Sequence, residues 1–139
     1  MEEETIDEIS PPLDIQSFVK AVQYGEFDVV RDALNDKKIS ATDCDKDGCS
    51  LLHWSAINNR LEIASHLIEY GANVNLAAGI LKETPIMWAI RSGNNPKIIQ
   101  LFIEKGASLT HKSVENIDPL QLACRLGNIN CCFLLLHNG

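Results

Sequence analysis

Long apolar runs are missing from this sequence of 139 residues. The longest one near the C-terminal end spans residues 131–136, well short of the roughly 18 apolar residues that a membrane-spanning helix needs. A basic leader is missing too, because the first residues are acidic where a secretory signal peptide would be positively charged. The Met-Glu start also lacks the glycine that N-myristoylation requires. These absences predict a fragment that makes no direct contact with a membrane.

Basic residues are scarce relative to acidic ones. The chain has 12 lysines and arginines against 19 aspartates and glutamates, for a formal net charge of −7. Such a chain is repelled by phosphate backbones, which excludes nucleic acid as an expected partner. The five cysteines are odd in number and include no pair with CxxC spacing. This pattern predicts free thiols rather than a disulfide framework or a zinc site.

Recognisable catalytic and metal-binding patterns are also missing. Residues 43–48 (Asp-Cys-Asp-Lys-Asp-Gly) match the first half of a calcium-binding loop, but Trp54 occupies the position of the required bidentate glutamate. The histidines belong to separate segments and share no metal-ligand spacing. Cys131 and Cys132 begin an apolar helix, where packing is the expected role. We therefore expect no catalytic residue, no metal site and no cofactor in this chain.

A repeat of 34 residues is what the sequence does contain. A turn pair, a large apolar residue and a small residue each recur in register along the chain. The apolar column is Phe18, Leu52, Ile86 and Leu120, and the small-residue column is Ala21, Ser55, Ala89 and Ala123. A fixed period of this length is typical of a solenoid. We predict an all-α solenoid of four helix-turn-helix units, at about residues 14–46, 47–80, 81–114 and 115–139, after an acidic disordered tail at residues 1–13.

The second, third and fourth units each carry a characteristic motif near their start. Residues 50–55 read Ser-Leu-Leu-His-Trp-Ser, residues 84–89 read Thr-Pro-Ile-Met-Trp-Ala, and residues 118–123 read Asp-Pro-Leu-Gln-Leu-Ala. These segments resemble the Thr-Pro-Leu-His-x-Ala signature of ankyrin repeats, in which proline suits the first helical turn because its missing N–H needs no partner there. His53 takes the histidine position of that signature. We expect its ring to bond to backbone near the turn between repeats.

Two tryptophans depart from the general ankyrin pattern. Trp54 and Trp88 occupy the same column one repeat apart, on the first helices, which line the concave face of such a solenoid. The two indoles are either core residues or the flat anchors with one N–H donor that binding sites favour. Asn58 follows Trp54 by one helical turn, and its amide can pair with a peptide backbone or a glutamine side chain. We expect Trp54, Trp88, Asn58 and Arg91 to bind a peptide.

One group of ankyrin proteins is especially similar. Residues 50–61 and 84–91, together with the eight-residue junction at residues 76–83, resemble the ankyrin domain of DHHC palmitoyltransferases of the huntingtin-interacting type. The resemblance implies a parent S-acyltransferase whose ankyrin domain recruits substrates by gripping a disordered motif, an aliphatic pair followed after two residues by Gln-Pro. The groove asparagine and tryptophan of that family correspond to Asn58 and Trp88.

The resemblance also implies where such a protein works. It places the parent protein in an intracellular membrane, expected to be the Golgi, with this domain on the cytosolic face. No Asp-His-His-Cys segment is present, and the chain stops inside a repeat, so we expect a non-catalytic fragment whose catalytic segment lies outside it. The alternative is a soluble ankyrin adaptor that binds a folded partner through its concave face.

Overall fold

The protein is described here by a computed structural model that covers residues 14–93 and 95–138. The tail predicted at residues 1–13 lies outside the described residues, as do Asn94 and Gly139. The described part contains eight helices. They are α1 (Ile15–Tyr24), α2 (Phe27–Asn35), α3 (Leu51–Ile57), α4 (Leu61–Glu69), α5 (Pro85–Ser92), α6 (Pro96–Glu104), α7 (Pro119–Arg125) and α8 (Ile129–Asn138). The predicted all-α repeat solenoid is confirmed.

Short polar residues and prolines set the helix starts. Asp14 caps α1 by accepting a hydrogen bond from the backbone N–H two residues later. Ser50 and Asp118 form capping boxes with His53 and Gln121, so that each side chain satisfies a backbone N–H of the other residue. Proline begins α5, α6 and α7, as expected for the first helical position. The start signals therefore repeat from unit to unit.

Helices α1 and α5 each end at a glycine in the left-handed conformation. Gly25 and Gly93 follow α1 and α5 with φ of 76° and 84°. A side chain at position 25 would also collide with its surroundings, since a Cβ there would lie 2.9 Å from Nη1 of Arg60. That arginine is held by the turn itself, because its Nη2 donates to the carbonyl of Gln23 at 2.6 Å. Repeats one and two are thereby joined at this turn.

The helices form two layers. The first helices of the units (α1, α3, α5 and α7) pack side by side as an inner layer, and the second helices (α2, α4, α6 and α8) pack likewise as an outer layer. Leu52 and Ile86 are fully buried between repeats, whereas Leu120 at the last unit is only half-buried. Within residues 14–93 and 95–138, no helix is both long and apolar enough to cross a membrane.

Candidate functional site

A cavity of about 600 Å³ lies between the second and third units. Helix α3 contributes Trp54 and Ile57 to its wall, and α5 contributes Trp88 and Arg91. The loop between α4 and α5 closes one side with Ile80 and neighbouring residues. Because α3 and α5 are equivalent helices of successive repeats, the 34-residue period itself brings the two indoles to one surface.

The two indoles pack edge to face. The ring centroids of Trp54 and Trp88 lie 5.4 Å apart with an interplanar angle of 88°, a favourable arrangement for aromatic pairs. Trp88 also meets the imidazole of His53 at 5.0 Å. Both tryptophans remain half-buried rather than buried. The indoles therefore combine the two roles left open by the sequence, because each packs against neighbours and still presents ring surface to the cavity.

Asp45 anchors the first of these indoles. Its Oδ2 accepts a hydrogen bond from Nε1 of Trp54 at 3.0 Å. Its Oδ1 accepts from the backbone N–H groups of Asp47 and Cys49, both at 2.9 Å. Asp45 is buried, and these three donors occupy both carboxylate oxygens. The segment that resembles a calcium loop is therefore built as a turn that orients Trp54.

Glu83 and Arg91 form an ion pair at the cavity wall. Nη2 of Arg91 donates to Oε2 of Glu83 at 2.7 Å, and Nε donates to Oε1 at 2.9 Å. Glu83 is only 3% exposed, so the two-pronged pair supplies the partner that a buried carboxylate needs. The hydrogen bonds that Arg91 donates to Glu83 raise the pKa of Arg91 above its ordinary value. The guanidinium is thereby held in one orientation beside Trp88.

The loop between α4 and α5 is a short hairpin. Ala78 and Glu83 exchange two backbone hydrogen bonds, of 2.9 Å and 3.0 Å. Gly79 adopts a φ of 77°, and a Cβ there would touch Sγ of Cys49 and the indole of Trp88. The hairpin presents Ile80 at its tip with 93% of the residue exposed. An apolar side chain is thus held in solvent at the mouth of the cavity.

His53 fastens this hairpin to the second unit. Its Nε2 lies 2.9 Å from the carbonyl oxygen of Glu83, and its Nδ1 lies 3.3 Å from the backbone nitrogen of Ser50. A carbonyl can only accept and a backbone N–H can only donate, so the ring is neutral with its proton on Nε2. Burial is the main cause of a pKa below the ordinary value for this histidine. The expected bond to inter-repeat backbone is confirmed.

Three of the four residues expected to bind a peptide come together here. Trp54, Trp88 and Arg91 line the cavity, whereas Asn58 is not among its lining residues. Asn58 lies at the end of α3, where its Nδ2 donates to the carbonyl of Trp54 at 2.9 Å. One amide N–H and the Oδ1 atom remain for another partner. The sequence pattern put Asn58 one helical turn beyond Trp54 on the same helix, whereas it is the C-cap residue directly after α3, and its bond to the Trp54 carbonyl was not expected.

The sequence does not mark all of the cavity residues as part of a binding site. From sequence, Asp45 stands out only as a potential metal ligand, and Glu83 and Ile80 only as parts of a long junction. The junction length was the available signal, since insertions in a repeat array map to loops on one face, often the binding face. Among the described residues, no group of three or more His, Cys, Asp or Glu side chains is placed to hold a metal ion.

Comparisons with known proteins agree on one architecture. The family described as Ankyrin repeats (3 copies) matches residues 16–78 and 78–139. Palmitoyltransferase ZDHHC13 of Homo sapiens is 41% identical over 105 residues, which cover 76% of this chain and 17% of that protein. Putative palmitoyltransferase ZDHHC13 of Danio rerio is 34% identical over 132 residues, covering 94% and 20%. Palmitoyltransferase ZDHHC17 of Homo sapiens is 40% identical over 83 residues, covering 60% and 13%.

The similarity extends along most of this chain but only part of each relative. The chain spans about a fifth or less of the length of these palmitoyltransferases. The resemblance to the ankyrin region of DHHC palmitoyltransferases is confirmed. The paired helices repeat every 34 residues, and the family model matches both halves of the chain. The chain belongs to the ankyrin-repeat family.

Proposed function

We propose that this chain is a non-catalytic ankyrin domain that recruits protein substrates for a membrane-bound protein S-palmitoyltransferase. Ankyrin repeats are protein-interaction modules, and the relatives that match are palmitoyltransferases. The recruited element is a short disordered peptide with an aliphatic pair, two further residues and Gln-Pro. Acyl transfer itself is assigned to an Asp-His-His-Cys segment elsewhere in the whole protein, at the cytosolic face of a Golgi membrane.

The half-buried pair of indoles carries this proposal. A flat aromatic wall beside an apolar cavity suits a proline ring, which packs on an indole and loses little conformational entropy because it is already stiff. Ile57 and Ile80 border the same cavity and give the aliphatic pair an apolar contact. The site is too small for a folded domain to enter, so an extended segment fits it better.

Polar groups at and near the cavity can fix the orientation of the bound peptide. Arg91 uses Nε and Nη2 for Glu83, which leaves the N–H groups of Nη1 for a peptide carbonyl. Asn58 follows α3 outside the cavity lining, and its amide has one free N–H and an acceptor oxygen for a glutamine of the motif that extends beyond the cavity. We expect micromolar affinity, because a disordered segment must be ordered on binding and the interface is small.

Peptide titration into wild-type and variant proteins tests the proposal. Trp88→Ala is expected to weaken binding of the aliphatic–aliphatic–x–x–Gln–Pro peptide by about thirtyfold, equivalent to roughly 2 kcal/mol for a central aromatic anchor. Asn58→Ala is expected to weaken it less. Tyr24→Ala is the matched control, because Tyr24 is an exposed aromatic residue in the first unit, outside the cavity.

A second variant separates binding from folding. Trp88 packs on His53 and Trp54, so its removal also weakens the fold. Ile80→Ser changes a side chain that is 93% exposed, and we expect it to weaken the peptide without lowering the melting temperature. Equal affinities for wild type, Ile80→Ser and Trp88→Ala would refute a peptide site in this cavity and would favour the adaptor that binds a folded partner.

A further inference from the structure

Two cysteine side chains meet in the last unit of the solenoid. Sγ of Cys124, on α7, lies 3.4 Å from Sγ of Cys132, on α8. Both are free thiols; Cys124 is exposed and Cys132 is half-buried. The sequence spacing of eight residues did not suggest this contact, which arises because α7 and α8 pack against each other as the two helices of one unit.

We propose that Cys124 and Cys132 are a modification site that forms a reversible intramolecular disulfide. A disulfide bond is about 2.0 Å long, so rotation of the two side chains by a small amount closes the remaining gap. The packing of α7 against α8 already holds the sulfurs in contact, which favours closure by side-chain rotation. The site is separate from the cavity between the second and third units.

Two of the three other cysteines are poorly placed to compete. Cys131 is adjacent to Cys132 in sequence but only 3% exposed, and burial raises its pKa to about 11. Cys49 is 5% exposed, and burial together with Asp45 raises its pKa to about 11. Thiolate is the reactive form of cysteine, so these two side chains are both shielded and weakly ionised at neutral pH. The exposed sulfur of Cys124 is therefore the favoured nucleophile for the first step.

The oxidant is a small-molecule disulfide such as oxidised glutathione. The Cys124 thiolate attacks one sulfur of the oxidant, which breaks the S–S bond and releases one glutathione thiolate. The Cys132 thiolate then attacks the Cys124 sulfur of the mixed disulfide and releases the second glutathione. The protein loses two electrons and two thiol protons, and both appear in the two molecules of reduced glutathione. Excess reduced glutathione reverses the reaction by the same steps.

The environment of Cys132 adds a pH dependence to the second step. In the reduced protein its hydrogen bond with Cys124, together with burial, holds the pKa of Cys132 above the ordinary value; in the mixed disulfide the Cys124 thiol is gone and its contribution to this shift ends. Ring closure is therefore expected to become faster as the pH rises through the alkaline range, since a larger fraction of Cys132 is then ionised. Closure also ties α7 to α8 and stabilises the last unit against unfolding.

Wild-type protein treated with excess oxidised glutathione provides the test. After alkylation of the three remaining thiols in denaturant, the intact mass is expected to show three alkyl groups, the loss of two hydrogens and no retained glutathione. Trypsin cleaves after Arg125, next to Cys124, so the peptides that contain Cys124 and Cys132 then stay joined only by the disulfide. The melting temperature of the oxidised protein should exceed that of the reduced protein by roughly 5–10 °C and return after reduction.

Two serine variants assign the pairing. Cys132→Ser lacks the second thiol and is expected to retain glutathione on Cys124 as a stable mixed disulfide. Cys131→Ser is the matched control, because it changes the adjacent cysteine and should form the same cross-link as wild type. A wild-type protein that keeps bound glutathione, a cross-link to any other cysteine, or loss of the cross-link in Cys131→Ser would each overturn the proposal.

Discussion

The buried imidazole of His53 allows a sharp test of how the second and third repeats are joined. The ring is inaccessible to solvent, donates to the Glu83 carbonyl and accepts from the Ser50 N–H. His53→Phe keeps a ring of similar size but can make neither bond, and it also loses the 2.8 Å hydrogen bond between Nδ1 and the Ser50 hydroxyl. The Glu83 carbonyl would retain its bond from the backbone N–H of Ala78, whereas the buried Ser50 N–H would be left without its partner.

The expected loss of unfolding free energy is the sum of the effects at these two backbone groups. Losing one net hydrogen bond to a carbonyl that keeps another partner costs about 1 kcal/mol, and stranding a buried N–H costs about 1–3 kcal/mol. We therefore expect His53→Phe to lower the free energy of unfolding by about 2–4 kcal/mol. Urea denaturation followed by circular dichroism measures this quantity directly.

His111 offers a matched control. Its Nε2 lies 2.9 Å from the carbonyl of Lys82, the same distance as in the His53 bond to the neighbouring residue, but its ring is only half-buried. Water can replace a lost bond there, so His111→Phe should cost below about 1 kcal/mol. Equal losses in the two variants, or a loss below about 1 kcal/mol for His53→Phe, would refute the reasoning that burial makes the His53 bonds decisive.

Two further predictions concern pH and packing. Burial lowers the pKa of native His53 despite the opposing charges of Asp45 and Glu83, so unfolding takes up a proton as the pH falls below about 6.5. The melting temperature should therefore decrease on acidification, and this decrease should be smaller in His53→Phe; an unchanged pH profile in the variant would count against a buried neutral ring. Ile86→Ala should cost about 2–5 kcal/mol because Ile86 is fully buried. The half-buried Leu120 is its control, and a larger loss for Leu120→Ala in the same denaturation assay would contradict the assigned core.

Much of the fold is written locally in the sequence. The 34-residue period identifies four units, and the capping residues and prolines mark where their helices begin. These features depend on the backbone bonding of a few neighbouring residues, so they are readable without tertiary information. The same register put Trp54 and Trp88 on equivalent helices and gave His53 its bond to the next repeat.

The arrangement of the side chains around the cavity depends on contacts between repeats. The ion pair of Glu83 with Arg91, the hold of Asp45 on the Trp54 indole and the protruding Ile80 depend on how a hairpin loop sits against two stacked helices. The sequence shows that the loop is long but does not indicate where its side chains point. Asn58 shows the same limit, because its bond to the Trp54 carbonyl depends on its rotamer at the helix end rather than on its place in the repeat.

The contact between Cys124 and Cys132 shows most clearly what the sequence determines and what the tertiary structure determines. In sequence the two residues belong to different helices of one unit, and their types alone predicted free thiols and packing. Only the packing of α7 on α8 brings the sulfurs to 3.4 Å. Periodicity determines which helices are neighbours, since it repeats the same backbone pattern along the chain. The distance between two particular atoms depends on the crossing of the helices and the rotamers of their side chains, which the tertiary structure alone decides.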